Sequence, residues 1–520
     1  DLLGVPQSDI SQFKIWSDAI VEPFSMMASR ERRIECAQLV VEMQAYFADM
    51  IAERQRQPRN DLISEAIAYR DDSDVAFTMQ ELMTIITIDL LASGNETTTA
   101  AIGSGMKLLI EDSSALGYGP ILRPTARETY SLRQQIFELV RATGRIARAK
   151  IARTLDISPG SVTALTAELI SDGFLREVEE TSRETSRGRP PVALELVPDA
   201  LYVIGVKLSD ELHTATLTDF GGNALASASQ ITTADKKSAD ELLTETEAII
   251  SKVCKSAKIS QKKISAIGVG ISGIVNYETG VVAWSPLLEE LDTPLGDIFS
   301  TYFKTPVCID NDANVLTLAE LWFGAGRALS NFAVITIEHG VGMGFVSDNR
   351  LFRGAHSMGL ELGHSKVQLD GALCRCGQRG CLEAYLADYA LAREASTALI
   401  TPSSKRQDLN DYLKSLYEMA KLGDQASLKI FKRAGRYLAV ALSNIIHLFD
   451  PKLIILSGKP MQYEFLYDEE MQIEMRSLAL YKSRFDTQIE IQSWGSMVWA
   501  RGATALALTE LTKTIIVEGH

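Results

Sequence analysis

The fold of this chain is decided by the stretch Ile264-Ser265-Ala266-Ile267-Gly268-Val269-Gly270-Ile271, which runs into Ser272-Gly273. It is a run of β-branched and small residues that ends in glycine, a pattern typical of a buried strand followed by a tight turn. Similar runs alternate with segments of helical spacing, which predicts an α/β architecture with ligand chemistry at the strand ends. The other predicted strands are residues 201–206, 213–218, 307–310 and 332–337.

The length and composition predict several domains. A chain of 520 residues is too long for one hydrophobic core, so three or four domains are expected. Its formal net charge of −15 argues against nonspecific binding of nucleic acid by the whole molecule. The sequence contains neither an uninterrupted apolar stretch long enough for a membrane span nor a secretory leader. We therefore expect a cytoplasmic protein with no membrane partner.

A cluster of cysteines predicts a metal site. Three of the six cysteines lie within eight residues, and a histidine precedes them. Zn²⁺ accepts three thiolates and one imidazole as a structural site, and the glycines inside the cluster permit the required bends. The alternative is three buried or redox-inactive cysteines that are close by chance. We expect structural zinc bound by His364, Cys374, Cys376 and Cys381.

Residues 131–197 have the pattern of a winged helix-turn-helix. The predicted elements are three helices, over 131–144, 146–155 and 158–173, and two wing strands, over 174–178 and 192–197. Residues 123–189 contain twelve Arg or Lys and nine Asp or Glu, so this region is basic within an acidic protein. The order of elements and the local charge favour a DNA-binding module over the alternative, an ordinary three-helix bundle.

The third of these helices is the predicted recognition helix. In the major groove it would present small side chains to the bases, among them Ala164, which offers only a methyl contact. Hydroxyl groups read bases ambiguously, so specificity needs a further contact. Arginines on the Gly/Pro-extended wing can enter a narrow minor groove, although the alternative is a solvated wing tip. The predicted DNA contacts are Ser158, Gly160, Ser161, Thr163, Arg187 and Arg189.

Glycine and proline residues between 117 and 124 interrupt the helical pattern and predict a domain boundary. The sequence is therefore expected to form a multidomain protein of four parts. These are a helical segment over 1–112, a linker over 113–130, the winged helix-turn-helix over 131–197 and an α/β domain over 198–515.

Six motifs lie in the α/β part. They are Gly268-Val269-Gly270-Ile271-Ser272-Gly273, Asp310-Asn311-Asp312-Ala313-Asn314, His339-Gly340-Val341-Gly342-Met343-Gly344, Glu361-Leu362-Gly363-His364, the cysteine cluster with Glu383, and Asp450-Pro451-Lys452-Leu453-Ile454-Ile455. Together they resemble the ROK family, named for repressors, open reading frames and sugar kinases, over about residues 131–515. The resemblance implies an actin-like, ribonuclease-H-like pair of lobes, divided near residues 312–325, with a sugar in the cleft and zinc beneath it.

The resemblance also implies the residues of the sugar site. Asn311 and Asp312 would bind sugar hydroxyls, and Asp312 would be the general base in a kinase member. Glu361, His364 and Glu383 would complete the site, since carboxylates accept hydrogen bonds from vicinal hydroxyls and a zinc-bound imidazole is held in one orientation. For Asp312 alone, the alternative is a carboxylate that caps a helix.

Two loops depart from the pattern of the family's kinases. Those kinases carry Asp-x-Gly-Gly-Thr after the first strand, whereas this chain has Lys207 in place of the Asp and lacks both glycines before Asp210. Glu338 and His339 replace a Gly-Thr pair in the second phosphate loop. Phosphoryl transfer depends on such positioning and charge neutralisation, so we expect no kinase activity. Leu287 replaces a hydroxyl-binding Asn, a change that could shift ligand choice or abolish binding.

Residues 1–112 resemble the middle of a bacterial cytochrome P-450. The resemblance rests on residues 2–6, 13–18 and 92–99, the last of which resembles the family's oxygen-activating helix. The loop with the haem-ligating cysteine does not follow in the sequence, so we expect no functional haem. We expect the segment to dock imperfectly or to be poorly ordered; the alternative is a small helical accessory domain.

The sequence as a whole predicts a sugar-responsive DNA-binding transcriptional regulator, in particular a repressor. It would act as a homodimer or higher homo-oligomer on an inverted repeat in double-stranded operator DNA. The sugar would act by binding one arrangement of the lobes better than another. The second hypothesis is an ATP-dependent sugar kinase with Asp312 as its base. The third is an inactive remnant of a haem monooxygenase.

Overall fold

The chain, in a computed structural model, divides into two compact units, Asp1–Ala115 and Leu116–His520. The division falls inside the linker predicted over residues 113–130. The structure describes residues 12, 15–16, 19, 30–57, 59, 62–68, 117–120, 131–179, 192–357, 359–398, 406–458, 461, 463–480, 487–492 and 495–517.

The first unit contains two described helices, α1 (Arg30–Arg56) and α2 (Leu62–Ala68). Cys36 is buried in α1. The cytochrome-like motif at residues 92–99 lies outside the described residues. The two helices contribute to a small apolar cluster of Trp16, Met43, Phe47, Met50, Ile51 and Ile63.

The second unit begins with three helices and a small antiparallel sheet with strand order β1-β3-β2. Ser131 and Ser158 cap the first and third helices, because each hydroxyl accepts a hydrogen bond from a backbone amide three residues later. Pro159 occupies the first turn of the third helix, where its missing amide proton costs nothing. The elements are α3 (Leu132–Thr143), β1 (Arg145–Ala147), α4 (Arg148–Leu155), α5 (Pro159–Ser171), β2 (Leu175–Glu179) and β3 (Val192–Leu196).

The short strand β1 is a correction to the prediction from sequence, which began a helix at Ile146. Ile146 instead pairs with Leu194 of β3, and α4 begins at Arg148. The physical reason is that Ile146 is 3% exposed and packs in the core of this unit from the sheet. Strand β2 is also shifted by one residue from the predicted 174–178.

A five-stranded mixed sheet forms the first lobe of the α/β part. Its order is β10-β7-β4-β5-β6, with β4, β7 and β10 parallel and β4, β5 and β6 antiparallel. The strands are β4 (Tyr202–Leu208), β5 (Leu212–Asp219), β6 (Ala224–Ile231), β7 (Ile264–Ile271) and β10 (Val307–Asn311). The lobe also contains α6 (Ala239–Ala257), α7 (Leu295–Phe303) and the hairpin of β8 (Ile274–Asn276) and β9 (Val281–Trp284).

A second five-stranded sheet forms the other lobe, in the order β13-β12-β11-β14-β15. Counted along the chain, both sheets have the order third, second, first, fourth, fifth, so one topology occurs twice. This repetition is the two-lobed, actin-like α/β architecture that was predicted. The strands are β11 (Phe332–Ile337), β12 (Val341–Ser347), β13 (Arg350–Phe352), β14 (Leu453–Ser457) and β15 (Gln488–Gln492). The described α-helices between β13 and β15 are α9 (Glu383–Leu386), α10 (Asp388–Ala398), α11 (Arg406–Lys421), α12 (Gln425–Phe449) and α13 (Glu469–Leu478).

Two helices connect the lobes. Helix α8 (Asp312–Phe323) follows the last strand of the first lobe, and α14 (Val498–Thr512) returns from the second lobe to pack on β4 and β7. The packing of α14 on the sheet requires glycine in β4 and β7. A Cβ on Gly205 would lie 2.0 Å from the carbonyl oxygen of Ala500, and one on Gly268 would lie 2.0 Å from that of Ala503. Glycine therefore permits the backbone of α14 to rest directly on the sheet.

None of the helices in the described part of the chain combines the length and apolar composition that crossing a lipid bilayer requires.

Candidate metal centre and ligand cleft

The four predicted zinc ligands lie together in the second lobe. His364 ends a short 3₁₀ helix, Leu362–His364, while Cys374 and Cys376 lie in a turn and Cys381 directly precedes the turn into α9. Gly380 has a positive φ of 76°, and a Cβ there would lie 1.8 Å from a carbonyl oxygen. Only glycine fits this bend, which brings the last sulfur back to the first two.

The distances in this cluster fit a tetrahedral metal ion. Cys374 Sγ lies 3.7 Å from His364 Nδ1, Cys376 Sγ lies 3.7 Å from Cys381 Sγ, and the four ligand atoms all lie within 4.8 Å of one another. A Zn–S bond of about 2.3 Å in tetrahedral geometry separates two sulfurs by roughly 3.7 Å. The set of three sulfurs and one imidazole would fill all four positions, as in a structural rather than a catalytic zinc site.

Glu383 contacts both the cluster of predicted zinc ligands and the start of β12. Its Oε1 lies 3.5 Å from Cys374 Sγ and 3.3 Å from Tyr389 Oη, and its Oε2 accepts a hydrogen bond of 3.4 Å from the backbone amide of Val341. The residue is 8% exposed. These contacts tie the carboxylate of Glu383 to Cys374, to Tyr389 and to the start of β12.

Charged groups from both lobes act on Glu361. Burial raises the pKa of Glu361, the carboxylates of Asp312 and Glu383 raise it further, and His364 opposes the rise. Asp312 begins α8 after the first lobe, whereas the other three groups belong to the second lobe. The structure thus brings four of the five predicted sugar ligands into one electrostatic environment between the lobes.

Asn311, the fifth predicted sugar ligand, is held by local hydrogen bonds. Its Oδ1 accepts a hydrogen bond of 2.8 Å from the amide of Ala313, which makes it the N-cap of α8, and its Nδ2 donates a hydrogen bond of 2.6 Å to the carbonyl oxygen of Gly273. The side chain of Asn311 therefore ties the start of α8 to the turn after β7.

Lys207 lies beside Asp312, a contact that was not predicted. Its Nζ lies 2.7 Å from Asp312 Oδ2 and 3.3 Å from Ser272 Oγ, and Ser272 donates a hydrogen bond of 2.6 Å to the same carboxylate oxygen. The parallel strands β4, β7 and β10 end at one edge of the sheet, which brings these residues together. That shared edge is the signal from which the contact could have been predicted.

His339 lies between groups from both lobes. Its Nδ1 is 3.3 Å from Asp388 Oδ2 in the second lobe, and its Nε2 is 3.8 Å from Glu211 Oε1 in the first. Two carboxylates thus flank an imidazole at the position where the resemblance places a phosphate loop. Leu287, which was noted as a replacement for a hydroxyl-binding Asn, is 3% exposed and packs in the core of the first lobe.

The hydroxyl groups of the predicted recognition helix are already hydrogen-bonded. Ser158 Oγ accepts from the amide of Ser161 and lies 2.8 Å from Ser161 Oγ, and Thr163 Oγ1 donates to the carbonyl oxygen of Pro159 at 2.9 Å. Gly160, Thr163 and Ala164 are exposed, as are Lys150 and Arg153 on α4, which were not among the predicted DNA contacts. Arg187 and Arg189 lie outside the described residues.

Known proteins share this architecture. A xylose repressor from Caldicellulosiruptor bescii is 27% identical over 373 residues, which covers 70% of this chain and 92% of the repressor. A glucokinase from Thermotoga maritima is 30% identical over 267 residues, which covers 50% of this chain and 82% of the kinase. The crystal structure of a ROK family transcriptional regulator, a homologue of the Escherichia coli Mlc protein, superimposes with a TM-score of 0.63 at 25% identity and covers 74% of this chain and 97% of that one.

The family match spans more than half of the sequence. Residues 203–510, which contain both lobes, α8, the cysteine cluster and most of α14, match the ROK family. The chain therefore belongs to the ROK family.

Proposed function

We propose that this protein is a sugar-responsive transcriptional repressor. The observation that carries the proposal is the helical unit with a three-stranded sheet that precedes a ROK core. The similarity to the Mlc homologue, at 74% of this chain, is longer than residues 203–510 alone could supply, and the xylose repressor supports the same class.

The DNA-binding part would be the winged helix-turn-helix over residues 131–197. Helix α5 would enter the major groove, and the methyl groups of Thr163 and Ala164 would meet thymine methyl groups, because the hydroxyl of Thr163 is engaged by Pro159. The wing arginines Arg187 and Arg189 would enter the minor groove. A homodimer or higher homo-oligomer would place two such helices on an inverted repeat.

The effector would be a sugar or sugar derivative in the cleft between the lobes. Asp312, Glu361 and Glu383 would accept hydrogen bonds from its hydroxyl groups, and Asn311 would position the start of α8. If His364 Nδ1 binds zinc, its Nε2 would be the nitrogen available to the ligand. The zinc would be structural: it would hold the loop that presents Glu361 and Glu383. The location we propose is the cytoplasm.

Kinase activity is the second candidate, because the similarity to the glucokinase extends over 82% of that enzyme and Asp312 is present. Against it, the ammonium of Lys207 lies 2.7 Å from the carboxylate that would take the proton of the sugar hydroxyl. A paired carboxylate is a poor general base. Coupled release of ADP with a hexose panel tests this candidate, and turnover that Asp312→Asn abolishes would establish it.

The cytochrome-like segment of residues 1–112 is proposed as a fragment without haem chemistry. Its support is the sequence resemblance alone. Titration of the full-length protein with haem tests the proposal, and a Soret band typical of a thiolate-ligated haem would contradict it.

The experiment that tests the main proposal is selection of bound sequences from a random DNA pool. The purified protein is incubated with and without a mixture of D-glucose, D-xylose and N-acetyl-D-glucosamine. An enriched inverted repeat whose recovery changes with sugar is the expected result. Recovery of no repeat in either arm would contradict the proposal.

A further inference from the structure

The helical unit and the α/β lobes share one hydrophobic core. The ring of Phe137 in α3 lies 5.2 Å from that of Phe220, which follows β5 of the first lobe, and Phe174 lies 5.8 Å from the same ring. Phe137 and Phe220 are fully buried. Close-packed contacts of this kind transmit displacement instead of absorbing it. A shift of the lobe therefore moves the helical unit with it.

Arg141 of α3 is buried at this junction. It is 2% exposed, its guanidinium carbon lies 4.1 Å from the centre of the Trp322 ring in α8, and it donates a hydrogen bond of 3.0 Å to Thr512 Oγ1 at the end of α14. Within α3 it pairs with Glu138. A buried guanidinium persists only where such partners compensate its lost hydration. One side chain thus fastens α3 to both helices that connect the lobes.

Helix α8 has the cleft at its other end. Asp312 is its first residue, Asn311 caps it, and Trp322 is its last residue but one. At about 1.5 Å per residue, roughly 15 Å separate Asp312 from Trp322. Because the backbone of a helix is hydrogen-bonded within itself, a push on Asp312 along the axis reaches Trp322 with little loss.

We propose that Arg141 is the positioning residue that couples the cleft to the DNA-binding unit. It fixes α3 to the C-terminal ends of α8 and α14, so a ligand that displaces Asp312 also displaces α5. This inference rests on the proposed function. The coupling is the factor by which sugar changes the affinity for DNA, and it can be lost while each site still binds its own ligand.

The test uses the full-length protein, zinc-loaded, with the variants Arg141→Met and Thr512→Val. Methionine keeps an unbranched stem on Trp322 but removes the guanidinium, whereas valine removes only the hydroxyl that Arg141 binds. The dissociation constant for a selected inverted-repeat duplex is measured with and without D-glucose, D-xylose and N-acetyl-D-glucosamine. Binding of the same sugars without DNA is measured by calorimetry.

We expect sugar to change the affinity of the wild type for DNA by about 5- to 150-fold, the usual range of allosteric coupling. In Arg141→Met this factor should fall below about twofold, while the sugar affinity stays within about threefold of the wild-type value. The factor for Thr512→Val should lie between those of the wild type and Arg141→Met. The matched control is Arg133→Met on the same helix. Because Arg133 pairs with Glu168 and Asp172 inside the helical unit, its substitution should leave the effect of sugar on DNA affinity unchanged.

If sugar changes the DNA affinity of Arg141→Met and of Thr512→Val by the same factor as in the wild type, the inference is wrong while the proposed function stands. If Arg141→Met does not fold, Thr512→Val alone decides, since it is nearly isosteric. A wild-type protein whose DNA affinity ignores all three sugars would overturn the proposed function, and the coupling with it.

Discussion

Replacing Lys207 by methionine removes the ammonium group from the cleft and keeps most of its alkyl stem. Lys207 Nζ lies 2.7 Å from Asp312 Oδ2, and Ser272 donates a hydrogen bond of 2.6 Å to the same oxygen. After the substitution, Asp312 still accepts the hydrogen bond from the hydroxyl of Ser272 but no longer has the ammonium of Lys207 beside it. The variant therefore isolates the electrostatic part of the contact.

Burial decides the size of the effect. The side chains of Lys207 and Asp312 are 10% and 25% exposed. Loss of one partner from a fully buried ion pair costs about 3–5 kcal/mol, whereas an exposed pair is worth about 0–1 kcal/mol. Because the carboxylate is a quarter exposed and keeps Ser272, we expect a coupling free energy of about 2 kcal/mol between Lys207→Met and Asp312→Asn. In a unit of about 400 residues, such as Leu116–His520, this corresponds to about 2–3 °C in melting temperature.

The assay is differential scanning calorimetry of the wild type, both single variants and the double variant. The double variant should melt about 2–3 °C higher than additive effects of the single variants would give. A second cycle on the more exposed pair of Arg133 and Asp172, whose side chains are 22% and 41% exposed, is the control, with an expected coupling of about 1 kcal/mol or less. Additivity within about 0.5 kcal/mol at Lys207 and Asp312 would refute the view that this pair stabilises the cleft.

Three further outcomes are expected. Cys376→Ser should lose the zinc that elemental analysis detects in the wild type, whereas Cys254→Ala, outside the cluster, should retain it. Burial lowers the pKa of His213 although Glu245 opposes it, so the stability that the neutral imidazole contributes is present above about pH 6.5 and is lost as the pH falls. The melting temperature of His213→Gln should therefore decrease less than that of the wild type between about pH 7.5 and 5.5, and parallel curves would contradict this. Thr163→Ser removes a methyl group and keeps the hydroxyl bonded to Pro159, so it should weaken binding to thymine-containing operator and not to the uracil-substituted duplex, as anisotropy titrations would report.

The strands were predictable where the sequence is uniformly apolar. Residues 264–271 and 332–337 form strands with the predicted bounds. Each is a short apolar run rich in β-branched residues, and a run of that length and composition favours a strand over a helix. Strand β1 was missed since it has only three residues, and its helix-compatible composition hides the pairing of Ile146 with Leu194. Local pattern cannot predict an element that exists because of a distant partner.

The cluster of metal ligands was predictable because its spacing is local, and His364 and the three cysteines do lie together. The pairing of Lys207 with Asp312 was not predicted, although the replacement of an aspartate by Lys207 was evident and the shared end of the parallel strands could have suggested the contact. The two residues are 105 positions apart, and their contact depends on the register of β4 against β7 and β10. The position of Arg141 was missed for the same reason, since a buried arginine is defined by partners in two distant helices.

In the proposed function, sugar in the cleft controls binding of DNA by the helical unit. The most direct measurement is fluorescence anisotropy of the selected inverted repeat, titrated with the full-length protein with and without each sugar. For one of the sugars, we expect a change of about fivefold or more in the dissociation constant, and Asp312→Asn should reduce this change. Identical DNA affinity with and without every sugar, at concentrations that calorimetry shows to fill the cleft, would contradict it.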